Sequence, residues 1–219
     1  MSTERTTVPD SRDGTTTRTA LVVVDMQNDF CDPSGVFARA GLRVDALDTL
    51  TAHINTLIAA ARAAGQPVIW VRMEWADDTA VGLLAQRSPF LRTEGLREGT
   101  WGAAVVPGLD QLPDDTVVVK ARFSAFHRTE LADVLERLGV GTVVVAGVRT
   151  DFCIESTVRD AFFRDLHAIV PEEAVAGYFE ELHHNSLRLM GTVFAEVVPL
   201  EAAAGAFAPA AVEAGQPCP

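Results

Sequence analysis

T-A-L-V-V-V-D, Thr19–Asp25, decides the fold: five apolar residues run together with no polar alternation and end on a carboxylate. Such a strand is apolar toward both faces, so it must be covered on both, as in the middle of a parallel sheet flanked by helices. Runs of the same kind recur at Pro67–Met73, Asp115–Lys120, Gly141–Ala146, His167–Val170 and Ala195–Pro199. Between them apolar residues fall at helical spacing over Val44–Ala64, with Gly65 as its C-terminal cap, and over Thr129–Leu138, Phe152–Asp165 and Phe179–Gly191. Strands alternating with crossover helices predict an α/β chain: a three-layer αβα domain around a six-stranded, parallel, doubly wound sheet. Ligands of such sheets sit beyond the carboxyl ends of the strands, near the switch in strand order. The stretch Glu74–Pro107 is long for a connection and holds Trp75 and Trp101. We expect it to cover a pocket, with a short helix near Val81–Gln86.

The 219 residues suit one large domain, 19–204, and the flanking segments 1–18 and 205–219 read as mobile tails. A net charge of −12 counts against nucleic acid and anionic membranes as partners, because phosphate contacts need clustered Lys and Arg. Three cysteines, Cys31, Cys153 and Cys218, make an odd number without framework spacing, which points to free thiols in a reducing compartment. The first residues lack the apolar core of a signal peptide, and no stretch is apolar for long enough to span a bilayer. A cytoplasmic location is expected.

Three reactive side chains fall at carboxyl ends of predicted strands: Asp25 at the first, Lys120 at the third, and Cys153 just past the fourth, after the turn Gly147–Thr150. On one edge of a parallel sheet they can converge. A nearby ammonium and a helix N-terminus both favour thiolate, so Lys120 and the following helix would activate Cys153. Asp25 would then serve as general base and later as general acid, and turn N–H groups before Cys153 would stabilise an oxyanion. Each residue alone has a plainer reading: Asp25 as a turn or cap, Lys120 as a solvated strand end, Cys153 as a small buried side chain. Cys31 can rim the pocket without a catalytic role, and Cys218 is inert.

The strings V-V-V-D-M-Q-N-D-F-C (Val22–Cys31), V-V-V-K-A-R-F-S-A-F (Val117–Phe126) and A-G-V-R-T-D-F-C-I-E-S-T-V-R-D-A (Ala146–Ala161) resemble, in order and spacing, the isochorismatase-like cysteine hydrolases. The resemblance implies that fold, with Asp25, Lys120 and Cys153 as the triad. It implies a cis peptide at Val148–Arg149 and an oxyanion hole built from the backbone N–H groups of Arg149 and Cys153. It also implies a homo-oligomer, a dimer or tetramer. The segments Phe123–Phe126 and Cys153–Ala161 look closest to the branch acting on ureides and carbamoyl compounds, so the expected partner is a small amide or ureide. Hydrolysis of a lactam or cyclic imide on the same fold, or a non-catalytic binding relative, are the alternatives.

Departures from the family narrow this further. Nicotinamidases carry metal ligands after the second strand. Here that region reads V-R-M-E-W-A-D-D-T (Val71–Thr79), with no histidine between Ile54 and His127, so neither metal nor cofactor is expected. Relatives that cleave a vinyl ether usually lack the cysteine, so Cys153 points to amide chemistry. Phe30, Asn28, Trp75, Trp101, Phe123 and Arg149 are the expected substrate contacts. Asn28, with Gln27, either orients Asp25 or satisfies the loop backbone, and Asp29 reads as a turn residue. Arg149 is either paired with Asp151 or free to meet a substrate carboxylate. Glu155, Arg159 and Asp160 read as helix-face ion pairs.

Overall fold

The structure is a computed structural model that describes residues 18–208; the expected tails at 1–17 and 209–219, with Cys218, lie outside the described residues. In strand β1 (Arg18–Val24) every residue from Thr19 onward is buried, as a central position demands. Two short helical turns follow, α1 (Asn28–Cys31) and α2 (Val36–Arg39), then the long helix α3 (Leu47–Ala63). Its buried residues Leu50, Ile54, Leu57, Ile58 and Ala61 keep the helical stripe that the sequence shows. Gly65 ends it at φ +67°, bonding its own N–H to Arg62 at 3.0 Å and bringing that of Gln66 to Ala61 at 2.8 Å. The chain continues through β2 (Val68–Met73), α4 (Leu84–Arg87), β3 (Thr116–Lys120), α5 (Leu131–Arg137), β4 (Val140–Val148) and α6 (Glu155–Phe162). It closes with β5 (His167–Pro171), β6 (Val175–Ala176), α7 (Glu180–Val193), β7 (Glu196–Val198) and α8 (Leu200–Gly205).

The sheet is parallel throughout, in the order β3-β2-β1-β4-β5-β7, with β6 alongside the end of β4. α3 and α8 pack together and α6 and α7 pack together, giving the three layers. The six expected strands form the main path. The seventh, β6, was not expected, because two residues carry no readable periodicity. It pairs Val175 with Gly147 and Ala176 with Val148, backing the last residues before Arg149. Strand order reverses between β1 and β4, where Val24 lies opposite Gly147. Gly147 sits at φ +116°, and a Cβ there would lie 2.1 Å from the Val24 carbonyl oxygen. Only glycine lets these two strands end side by side.

Two boundaries differ from expectation. The helix expected from Phe152 opens as a single π-type turn, Thr150–Ile154, and becomes α-helical at Glu155. Residues 205–208, assigned above to the C-terminal tail, pack onto the domain. Phe207 is buried, its carbonyl accepts the Gln66 amide at 3.4 Å, and the alanines before it form α8. Alanine is a strong helix former, and one aromatic anchor outweighs the linker-like composition. Among the described residues no helix is long and apolar enough to cross a membrane.

Candidate active site

Asp25 follows β1 directly, at φ +53°, a left-handed conformation that Asp tolerates better than most residues. Lys120 is the last residue of β3, two strands away, and Cys153 sits in the π-type turn after β4. All three are buried and meet. The Lys120 ammonium donates to Asp25 Oδ2 at 2.6 Å, to the Arg122 carbonyl at 3.1 Å and to Cys153 Sγ at 3.4 Å. Its three protons are therefore fully used. Asp25 Oδ1, also buried, has no hydrogen-bond partner among the described residues.

Charge and burial compete here. Burial raises the Asp25 pKa, against the pull of Lys120 and of the Cys153 thiol. Lys120 is also raised: burial disfavours its charge, but Asp25 and Cys153 outweigh it, so it stays an ammonium. Burial and then the Asp25 charge push the Cys153 thiol well up, and Lys120 does not overcome them. This corrects the expectation that Lys120 keeps a resting thiolate. The ammonium serves the carboxylate at 2.6 Å before the sulfur at 3.4 Å, which favours the neutral thiol over the thiolate.

The turn that presents Cys153 is tied down from several sides. The Val148–Arg149 peptide is cis. The Arg149 carbonyl accepts the N–H groups of Phe152 at 3.2 Å and Ile154 at 3.0 Å, passing over that of Cys153 between them. Buried Thr150 shares a 2.8 Å hydrogen bond with His183 Nδ1 of α7, an anchor that sequence reasoning missed. Burial, and then His184, hold the His183 pKa below the ordinary imidazole value.

A cavity of about 390 Å³ opens at Cys153, floored by Met73 and walled by Phe30, Phe37, Phe123 and Phe152. The rings pair off: Phe30 on Phe37 with centroids 4.7 Å apart, Phe123 on Phe152 at 5.0 Å. Phe123 is positioned by its neighbours, since Ser124 hydrogen-bonds Asp160 and the Ala125 N–H reaches Thr157 Oγ1 of α6 at 3.0 Å. The long connection 74–107 contributes Leu84, Arg87, Ser88 and Leu91, so it does cover the pocket. An adjoining cavity of about 300 Å³ shares Met73, Leu84, Arg87 and Phe123 and extends to Arg122.

Of the expected substrate contacts, Phe30, Phe123 and Arg149 lie on the cavity wall, and three do not. Trp75 is wholly buried, with its indole N–H on the Ala121 carbonyl at 3.2 Å; it anchors the covering segment instead of lining the pocket. Trp101 is 53% exposed, away from the cavity. Asn28 spends its amide N–H on the Trp101 carbonyl at 2.7 Å, while Gln27 bonds Met73 and Ala103, so the loop-satisfying reading of the pair holds. Asp29 is more than a turn residue: it accepts the N–H groups of Val36 at 3.0 Å and Leu96 at 2.6 Å, stapling two loops. Cys31 is buried off the cavity wall, where burial pushes its thiol well up.

Arg149 satisfies both of its readings in part. It pairs with Asp151 at 2.6 and 3.3 Å and lies 4.3 Å over the Tyr178 ring and 4.4 Å over that of Phe152, yet it borders the cavity. Arg159 pairs with Glu155 at 2.8 Å along α6, as expected of that face. In the region where nicotinamidases bind metal, Glu74 is ion-paired with Arg72 at 3.0 Å.

Similarity to known proteins agrees with this architecture. The isochorismatase domain model matches residues 19–202. The ureidoacrylate amidohydrolase RutB of Methylobacterium radiotolerans is 36% identical over 85% of this chain and 80% of its own. A cysteine hydrolase from Pseudomonas syringae pv. phaseolicola superposes with a TM-score of 0.78 at 30% identity, covering 87% of this chain and 92% of its own. The N-carbamoylsarcosine amidase of Thermoplasma acidophilum gives 0.69 at 27% identity, covering 84% and 97%. With a matched domain that spans the whole sheet and the cysteine turn, this chain belongs to the isochorismatase family.

Proposed function

We propose that the chain is a cysteine amidohydrolase that cleaves a small amide or ureide through a thioester on Cys153. It is a hydrolase acting on carbon–nitrogen bonds other than peptide bonds. The observation that carries the cysteine mechanism is the Lys120 ammonium bridging Asp25 and Cys153 at the end of a ligand-sized cavity. As Sγ attacks the carbonyl carbon, its proton passes to Asp25, whose raised pKa makes it a stronger base than an ordinary carboxylate. Oδ1 is the oxygen free to receive it. The backbone N–H groups of Arg149 and Cys153 hold the resulting oxyanion. Collapse breaks the C–N bond, and the leaving nitrogen takes the proton from Asp25. Water then gives its proton to Asp25 and attacks the thioester carbon, and the thiol is restored with the acid released. Lys120 keeps Asp25 ionised between proton transfers. No metal or cofactor enters, because the ammonium and the turn N–H groups supply the positive charge.

The relatives named for ureidoacrylate and N-carbamoylsarcosine support an amide or ureide as substrate. Free thiols at Cys31 and Cys153 support a reducing, cytoplasmic setting. Intact-mass spectrometry during turnover of a primary amide tests the mechanism. An acyl adduct appears on the wild type and disappears in Cys153→Ala, whose kcat falls by about 10³-fold or more. Undiminished turnover in that variant refutes the mechanism.

A further inference from the structure

Charge around the cavity does not balance. Among the described residues only two charged side chains border it, Arg149 and Arg87. Arg149 has its counter-ion in Asp151 at 2.6 Å, and Lys120, buried and off the cavity wall, has Asp25. Arg87, an exposed side chain on α4 of the covering segment, has neither an ion pair nor a side-chain hydrogen bond among the described residues, and it borders both cavities. Arg122, the other cation of the adjoining cavity, bonds only the carbonyls of Ala80 and Ala121. A chain with net charge −12 therefore presents local positive charge where the two cavities meet.

The remaining wall is apolar. Four phenylalanines, with Leu42 and Leu91, face the space, and apart from the arginines only Ser88 and Cys153 offer polar side chains. A linear ureide carries several N–H and C=O groups, and each one left facing an aromatic ring forfeits its hydrogen bonds to water. It would also fill only a fraction of the cavity of about 390 Å³ at Cys153, a size that suits a larger ligand.

We propose that the preferred substrate is an amide whose acyl part is ring-sized and apolar, seated among Phe30, Phe37, Phe123 and Phe152, with an anionic group at its far end held by Arg87. This rests on the amidohydrolase reading above and narrows it. Arg87 is then a specificity residue, and Arg149 is not the carboxylate partner.

Binding to the Cys153→Ala protein, measured by isothermal titration calorimetry, tests it with three probes: phenylpropanamide bearing a para carboxylate, the same amide without it, and ureidopropionate. We expect the first to bind about tenfold or more tightly than either of the others. Adding Arg87→Gln weakens the carboxylated amide by about tenfold more than the neutral one, and Arg87→Lys restores part of the difference. Equal or tighter binding of ureidopropionate overturns the proposal. So does equal weakening of both ring amides by Arg87→Gln, or no binding of the carboxylated amide at millimolar concentration. None of these readouts needs turnover, so failure of the cysteine mechanism shows separately, as a missing adduct on the wild type.

Discussion

Replacing Lys120 by Met separates the charge of this residue from its volume. Lys120 and Asp25 have wholly buried side chains 2.6 Å apart, so the substitution leaves a carboxylate in the core with no counter-ion. Removing one partner of a buried pair costs about 3–5 kcal/mol, far above the value of a surface pair. Met fills most of the vacated space, so little of this is a cavity effect. At about 2–4 °C per kcal/mol for a chain of this size, Tm falls by roughly 6–20 °C. The double variant Asp25→Asn/Lys120→Met has no stranded charge and should be at least about 2 kcal/mol more stable than Lys120→Met alone.

The pH dependence gives the sharper test. Asp25 is already raised in the folded state by burial, and losing Lys120 removes the main opposing influence. A folded carboxyl with a raised pKa binds its proton more tightly than the unfolded one. The folded state is therefore penalised as pH rises above the unfolded value of 3.8, by up to about 1.4 kcal/mol per pH unit, until the folded pKa is passed. Urea unfolding should find Lys120→Met near the wild type at about pH 4 and progressively behind it toward about pH 7. A deficit below about 1 kcal/mol at neutral pH, or one that does not shrink on acidification, would refute the buried ion pair as the organising charge of the site.

Because burial and Asp25 hold the Cys153 thiol up, iodoacetamide should inactivate the protein more slowly at neutral pH than it alkylates free cysteine, and faster as pH rises; faster neutral inactivation would mean a resting thiolate. Gly147→Ala forces a Cβ against the Val24 carbonyl and should cost more than about 3 kcal/mol, while Gly65→Ala, with open space around it and only an unfavourable φ, should cost about 1 kcal/mol; equal chemical-denaturation midpoints would contradict this. We also propose a homo-oligomer that covers Phe163 and Val193, which are 68% and 61% exposed on the α6–α7 side; light scattering should give a multiple of the 23.5 kDa chain mass that drops in Val193→Glu, and a monomeric wild type rules it out.

Much of the sheet was legible because burial on both faces leaves an unalternating run, and β1 and β4 are such runs. Asp25, Lys120 and Cys153 were legible for a topological reason: each ends or follows a strand, and parallel strands put those ends on one edge. The cavity wall was legible only in part, through Phe30, Phe123 and Arg149. Trp75 and Trp101 sit in the same connection and look alike in sequence, yet one is wholly buried and the other half exposed. What separates them is the tertiary path of residues 74–107, held by Asp29 and Gln27 from another part of the chain. Phe37, which does line the cavity, lies in a four-residue helix with no periodicity to mark it.

Charges could be counted from the sequence, but their depth could not. An ammonium near a thiol argues for thiolate only while both remain solvated. With every member of the triad buried, desolvation comes first, and the ammonium that bridges the other two sits closer to the carboxylate. The same reasoning applies to Arg149. Asp151 stands two residues away, so the pair is visible in the sequence, but the Tyr178 ring that holds the guanidinium arrives from beyond β6. A guanidinium already neutralised by a carboxylate and packed on an aromatic ring attracts a second anion less strongly than one without a counter-ion, although its Nη1 donors stay unused among the described residues. Recognition of an anionic substrate group therefore falls to Arg87, whose charge is matched by no side chain around it.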